Sequence, residues 1–183
     1  MTHNNLGKLN ERPLAFTDLE TSGDVFGEHE IIEIGCVVTT PNFELIGELE
    51  LKIKPEHIET ADPVALKINH YDEKLWASGH TLPEAMKMLA EISKDCIMVG
   101  QNVAFDSGFL EYAFAKNKIA NNMHYHKLDT ISVAWAKLHK DPSLEHFSLR
   151  ELCKRFGIEN EHPHSALSDA RATFELYKKL MEL

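Results

Sequence analysis

The stretch Phe16-Thr17-Asp18-Leu19-Glu20-Thr21-Ser22-Gly23 contains two carboxylates two positions apart, between an apolar run and a turn signal. Positions i and i+2 of a β-strand point to the same face, so we expect Asp18 and Glu20 to lie side by side at the end of a strand. Two like charges this close repel each other unless a cation lies between them, and hard oxygen ligands suit Mg²⁺ or Mn²⁺. The stretch therefore predicts a strand that ends in a site for a divalent cation.

The composition favours one well-filled core. The chain has 183 residues, 43% of them hydrophobic, and a formal net charge of -10, which disfavours extensive binding of duplex nucleic acid. The three cysteines are widely spaced and form no CxxC motif, which is typical of reduced thiols inside the cell. The first residues lack the apolar segment of a signal peptide, and no run approaches the roughly 20 residues of a membrane span. We therefore expect a soluble, cytoplasmic protein without a membrane partner.

Three strands in a row precede strands that alternate with helices. The predicted strands are 14–19, 31–38, 43–53, 96–99 and 127–129. The predicted helices are 63–69, 72–76, 82–92, 103–116, 131–138, 147–156 and a last one capped by Ser165. This order predicts an α/β fold with a mixed five-stranded sheet, made of a three-stranded antiparallel meander plus two parallel strands, flanked by helices. We expect residues 1–12 to form a disordered tail and residues 13–183 to form a single domain.

Two further acids occupy the starts of helices. Asp106 lies one turn into the helix predicted after Asn102, its expected N-cap, and Asp169 lies one turn into the last helix. Sites in open α/β sheets gather at strand ends and at the helix starts that follow them. Together with the first pair, these carboxylates could hold two cations about 4 Å apart, an arrangement used for phosphodiester cleavage. His164, five positions before Asp169, is of a residue type that accepts a proton near neutral pH.

These three blocks resemble the exonuclease motifs of the DEDD superfamily. Thr17-Asp18-Leu19-Glu20-Thr21-Ser22-Gly23, Asn102-x-x-x-Asp106 and His164-x-x-x-x-Asp169 follow one another in that order, and the histidine spacing matches the DEDDh subgroup. The resemblance covers residues 14 to about 180. In layout it is similar to the proofreading (epsilon) subunits of bacterial DNA polymerase III and to ribonuclease T. It implies a ribonuclease H-like fold and a metal-dependent 3′–5′ exonuclease that releases 5′-mononucleotides from single-stranded ends.

The resemblance also implies a role for each site residue. Asp18 would bridge two Mg²⁺ or Mn²⁺ ions, Glu20 and Asp169 would complete the first metal site, and Asp106 would serve the second. His164 would be the general base. Five positions match those that hold the terminal nucleotide in the family: Leu19, Thr21, Ile68, Asn69 and Phe105.

Several alternatives stay open at this level. The substrate could be DNA, which we favour, or RNA, because the catalytic set does not distinguish them. The chain could instead be a nucleic-acid-binding module or a polymerase-associated subunit, and neither homodimer formation nor polymerase association is decided. Asp129 is expected to be structural, and Phe105 is equally compatible with the core and with contact to a base. The spacings His124-x-His126 and His162-x-His164 resemble zinc ligands, but nothing local completes either one.

Overall fold

A computed structural model describes residues 7–183. Its centre is a mixed five-stranded sheet in the order β3-β2-β1-β4-β5. The strands are β1 (Leu14–Thr21), β2 (Ile31–Thr39), β3 (Leu45–Lys52), β4 (Ile97–Gly100) and β5 (Lys127–Asp129). The first three strands pair antiparallel, whereas β4 pairs parallel with both β1 and β5. The predicted mixed sheet is therefore confirmed.

Helices cover both faces of this sheet. They are α1 (Pro63–Ile68), α2 (Glu73–Trp76), α3 (Leu82–Ile92), α4 (Val103–Asn117), α5 (Thr130–Leu138), α6 (Leu149–Phe156) and α7 (Ala166–Met181), with two short 3-10 helices at Leu9–Glu11 and Ile58–Thr60. Within residues 7–183, no helix is long and apolar enough to span a membrane. All three cysteines are buried and unpaired.

The central strand β1 divides the core, because its side chains alternate between the two faces. Ala15 and Leu19 belong to the cluster that α3 and α4 cover. Phe16 faces the other way, and its ring lies 5.0 Å from that of Phe174 on α7. Asp18 has the same parity as Phe16, so the carboxylates at the end of β1 share the face on which α7 packs.

Local structure differs from the sequence prediction at two places. The predicted disordered tail falls partly on residues 1–6, which lie outside the described residues, but residues 9–11 form a 3-10 helix and Arg12 is buried, donating to Asp95 O. Phe43 lies in a left-handed turn before β3, where its ring packs near Tyr177. Tertiary contacts that no local pattern records explain both differences.

The predicted N-cap residues Asn102 and Ser165 occupy their positions, but neither side chain makes the capping hydrogen bond. Asn102 precedes α4 in a left-handed conformation and makes no capping bond. The carboxylate of Asp129 instead accepts hydrogen bonds from the backbone N–H groups of Asn102 (2.9 Å) and Val103 (3.3 Å). Its second oxygen accepts from Ser132 N at the start of α5. Asp129 therefore ties two helix starts together, which is the structural role expected of it.

Candidate active site

Asp18 and Glu20 end the central strand on one face, as their spacing predicts. In the register of β1 and β2, Asp18 lies opposite Gly35 and Glu20 lies opposite Glu33. A register shift follows between Glu20 and Thr21, and such irregularities bend a strand near its end. Glu20 is 7% exposed, and Asp18 is partly exposed. This part of β1 therefore presents two carboxylates into a largely enclosed space beside a third acid from β2.

Asp106 reaches the end of β1 from the first turn of α4. Its Oδ1 accepts a hydrogen bond of 3.0 Å from the backbone N–H of Leu19, between the two acids of β1. Asp106 is 4% exposed, so this bond forms away from water, where it is strongest. Because Asp129 holds the turn before α4, the helix start is fixed against the sheet.

Asp169 and His164 come from the start of α7 and from the loop before it. Asp169 Oδ2 accepts from the backbone N–H of His164 (3.1 Å), and Asp169 Oδ1 accepts from the side-chain amide of Asn160. His164 has a φ of 64°, a left-handed conformation that costs energy for a residue with a side chain. One donor atom each from Glu20, His164 and Asp169 lies within 4.8 Å of the others. The loop therefore holds the imidazole at the carboxylate cluster.

Burial raises the pKa of all four predicted acids, and neighbouring negative charges add to the rise at Asp18, Glu20 and Asp169. Burial, followed by the charges of Asp106, Asp169 and Glu20, holds the pKa of Asp18 well above its usual value. Burial and the charge of Asp169 raise the pKa of Glu20 to about 8, although Lys52 opposes the rise. Burial raises the pKa of Asp106 to about 7 against the hydrogen bond from Leu19.

The pKa of Asp169 is also raised by burial, while the hydrogen bonds from Asn160 and His164 act in the opposite direction. Four carboxylates that resist ionisation in one small volume form a strong binding site for positive charge. Their oxygen atoms are the donors that Mg²⁺ and Mn²⁺ prefer, so the residues present fit divalent cations.

The five predicted nucleotide-binding residues divide into two groups. The first group meets at the end of β1, where Asn69 Nδ2 donates to Thr21 O at 2.8 Å and Thr21 Oγ1 donates to Gly23 O at 2.6 Å. Ile68, next to Asn69, is 45% exposed and free to contact a ligand. In the first group, therefore, only Ile68 presents its side chain openly.

The second group, Leu19 and Phe105, packs against the core beneath α4. Leu19 is 5% exposed, and its backbone rather than its side chain contacts the site, through Asp106. Phe105 is partly buried, with its ring 5.1 Å from that of Phe109. Its remaining exposed surface allows both roles that the sequence left open.

Sequence reasoning missed Glu33, Lys52 and Asn160. Glu33 lies within the predicted strand 31–38, and a lone acid in the apolar run Ile31-Ile32-Glu33-Ile34 is itself a signal, because acids are almost never buried without a partner. Asn160 carries no comparable local signal. Of the two zinc-like spacings, His124 and His126 bring their Nδ1 atoms to 3.3 Å. Within residues 7–183, no further His, Cys, Asp or Glu joins that pair into a three-residue metal cluster.

Comparison with known proteins assigns the chain to a family. A family model described as exonuclease, of the RNase T type, matches residues 15–177. PolC-type DNA polymerase III from Listeria monocytogenes is 30% identical over 168 residues, which is 90% of this chain and 11% of that protein. A putative bifunctional exonuclease/endonuclease protein of Mycobacterium tuberculosis is 28% identical over 182 residues, covering 95% of this chain and 27% of that protein. The chain thus spans about a tenth to a quarter of the length of these relatives.

Solved structures share the fold. Exonuclease I of E. coli in complex with a dT13 oligonucleotide superimposes with a TM-score of 0.80 at 21% identity, over 92% of this chain and 41% of that one. Exonuclease I of Methylocaldum szegediense gives 0.77 at 20% identity, over 93% and 40%. At this identity the likeness concerns the fold, and it confirms the predicted ribonuclease H-like architecture. On the family match across residues 15–177, this chain belongs to the exonuclease family, within the DEDDh superfamily that its motifs resemble.

Proposed function

We propose that this domain is a two-metal-ion 3′–5′ exonuclease that removes 5′-mononucleotides from single-stranded nucleic acid. The observation that carries the proposal is the convergence of four acids from three distant segments, where burial raises the pKa of each one. Keeping buried acids this close together lowers the stability of the metal-free fold. A cation bound between them in the active protein is the simplest reason for this arrangement.

The position of each acid supports the role that the resemblance implies for it. The charges of Asp106, Asp169 and Glu20 all act on Asp18, which suits a ligand shared by two cations. Glu20 and Asp169 would hold the first cation, and Asp106 would hold the second. When bound, the cations would supply an activated water and stabilise the departing oxygen.

His164 would take the proton from the attacking water. Its ring has a donor atom within 4.8 Å of Glu20 and Asp169, and its backbone N–H is anchored on Asp169. A base fixed at this distance needs little reorganisation when the substrate arrives. In the reaction, the water oxygen bonds to phosphorus while the bond to the 3′ oxygen breaks. The shortened strand is left with a 3′-hydroxyl and the released nucleotide with a 5′-phosphate.

The terminal nucleotide would lie beside Thr21, Ile68, Asn69 and Phe105. The bond from Asn69 to Thr21 O shapes the backbone of this subsite, and exposed Ile68 supplies an apolar surface for an unstacked base. DNA is favoured over RNA, because the relatives include PolC-type DNA polymerase III and the fold neighbours include exonuclease I with a dT13 oligonucleotide. Association with a polymerase is the corresponding proposal for a partner.

The test uses short 5′-labelled single strands, one of DNA and one of RNA, with Mg²⁺ or Mn²⁺. We expect a ladder that shortens from the 3′ end, and we expect it to be abolished in Asp18→Asn. The matched control Asp24→Asn changes an exposed acid a few positions further on and should leave the ladder intact. A folded wild-type protein that binds the strands tightly in Mn²⁺ without shortening them would refute the enzyme and favour a binding module.

A further inference from the structure

Glu33 is buried in the middle of the sheet, although acids rarely occupy such positions. It lies in the second strand, β2, directly opposite Glu20, and it is 1% exposed. Its flanking residues Ile32 and Ile34 are fully buried apolar side chains. A carboxylate in this position destabilises the fold unless its oxygens are paired, so its contacts indicate what it does.

Both oxygens of Glu33 accept hydrogen bonds, and Oε1 accepts them from residues at the start of α7. Oε1 accepts from the backbone N–H of Ala166 at 3.0 Å and from Ser165 Oγ at 3.3 Å. Ser165 itself makes no capping bond, so the cap of this helix comes from 133 positions earlier in the chain. A carboxylate at a helix N-terminus also meets the positive end of the helix dipole.

The second oxygen is paired with Lys52. Lys52 Nζ donates to Glu33 Oε2 at 2.8 Å and lies 4.1 Å from the centre of the Trp76 ring. Trp76 Nε1 in turn donates to Ile32 O at 2.7 Å, so the ion pair is braced against the strand that carries Glu33. The carboxylate is therefore paired and held in place, as a buried charge requires.

Gly35, two residues further along β2, lets the backbone at the start of α7 approach the strand closely. A Cβ atom built on Gly35 would lie 2.1 Å from the carbonyl carbon of Ala166, far inside contact distance. Glu33 and Gly35 point to one face, opposite Glu20 and Asp18. The strand thus provides an acceptor for the first N–H of the helix and a gap for its backbone.

We propose that Glu33 is a positioning residue, which holds the start of α7 on β2 and so sets His164 and Asp169 against Asp18 and Glu20. This proposal rests on the exonuclease function proposed above. A direct role as a metal ligand is less consistent with the contacts, since both Glu33 oxygens already have partners.

Three substitutions of Glu33 distinguish a positioning role from a requirement for its negative charge. Glu33→Gln keeps an oxygen that can accept from Ala166 N–H but removes the charge. Glu33→Asp keeps the charge but shortens the side chain by one methylene, and Glu33→Ala removes the acceptor. The control is Glu48→Gln, because Glu48 pairs with Arg171 and so also links the sheet to α7, but more than a turn beyond the contact of Glu33 with Ala166.

Activity is measured as kcat and KM on a 5′-labelled single strand in Mn²⁺. We expect kcat to fall about 100-fold in Glu33→Ala and about 10-fold in Glu33→Asp, with KM changed by less than about 3-fold, because an acid misplaced by about 1 Å costs this much. Glu33→Gln and Glu48→Gln should stay within about 5-fold of wild type. An active Glu33→Asp beside an inactive Glu33→Gln would overturn the proposal and assign the function to the charge.

A readout independent of catalysis is amide hydrogen exchange at Ala166 in the metal-free protein, followed by NMR. Protection should be lost in Glu33→Ala and retained in Glu33→Gln and Glu48→Gln. Equal protection in wild type and Glu33→Ala would overturn the proposal even if no variant has nuclease activity. If Glu33→Ala does not fold, the comparison of kcat between Glu33→Gln and Glu33→Asp tests the proposal by itself. A wild-type protein that protects Ala166 through Glu33 but cleaves nothing would count against the exonuclease function and not against the contact.

Discussion

Replacing Asp106 with Asn tests whether repulsion among the buried acids controls the stability of the metal-free protein. The Asn side chain has nearly the same shape, and its carbonyl oxygen can still accept from Leu19 N–H, as Asp106 does at 3.0 Å. What disappears is the charge. The expected change is therefore electrostatic, with little change in packing.

The magnitude follows from the raised pKa of Asp106, which burial shifts from 3.8 to about 7. Between these two pH values the unfolded chain has released the proton while the folded chain keeps it. The stability that protonated Asp106 contributes is therefore fully present below pH 3.8, and it is lost as the pH rises through about 7. Each pH unit well below 7 costs about 1.4 kcal/mol, and the slope falls as Asp106 ionises in the folded protein, so Asp106 alone lowers the free energy of unfolding by about 2 kcal/mol between pH 5 and 7.

Urea unfolding in EDTA at several pH values from 5 to 8 measures this slope. Asp106→Asn should flatten it below pH 7 by about one proton equivalent, which is about 1.4 kcal/mol per pH unit. Glu111→Gln, on the exposed side of the same helix, is the control. Mn²⁺ should stabilise wild type more at pH 8 than at pH 5. Parallel slopes for wild type and Asp106→Asn would refute the reasoning.

The remaining predictions concern three other contacts. His164→Ala should lower kcat by about 100-fold or more with the fold intact, whereas His162→Ala, two positions away, should not. Steady-state kinetics would show equal losses of kcat in both variants if the His164 imidazole had no special role. Asn69→Ala should destabilise the protein by about 1–3 kcal/mol and raise KM, because it leaves Thr21 O without its 2.8 Å donor; an unchanged KM would separate Asn69 from the substrate. Gly35→Ala should destabilise by about 3 kcal/mol in thermal unfolding, and a wild-type melting temperature would show that the helix contact is looser than the structure indicates.

Much of the fold was predictable because its signals are local. Runs of β-branched residues identified β2, and helical spacing of apolar residues identified α3 and α7 within a few positions. The i, i+2 spacing of Asp18 and Glu20 placed both on one face of β1, as the structure shows. The start of β3 was predicted two residues early, because the left-handed turn at Phe43 depends on packing against α7.

The sequence by itself determined which side chains could form a site, through the order and spacing of its acids and of His164. Periodicity is a property of neighbours along the chain, so it specifies faces and caps but not distant partners. Only the tertiary structure decided how the acids are held. Asp129 caps α4 from 27 positions away, and Glu33 caps α7 from 133 positions away. Burial, which raises the pKa of Glu20 to about 8, likewise exists only once the helices cover the sheet.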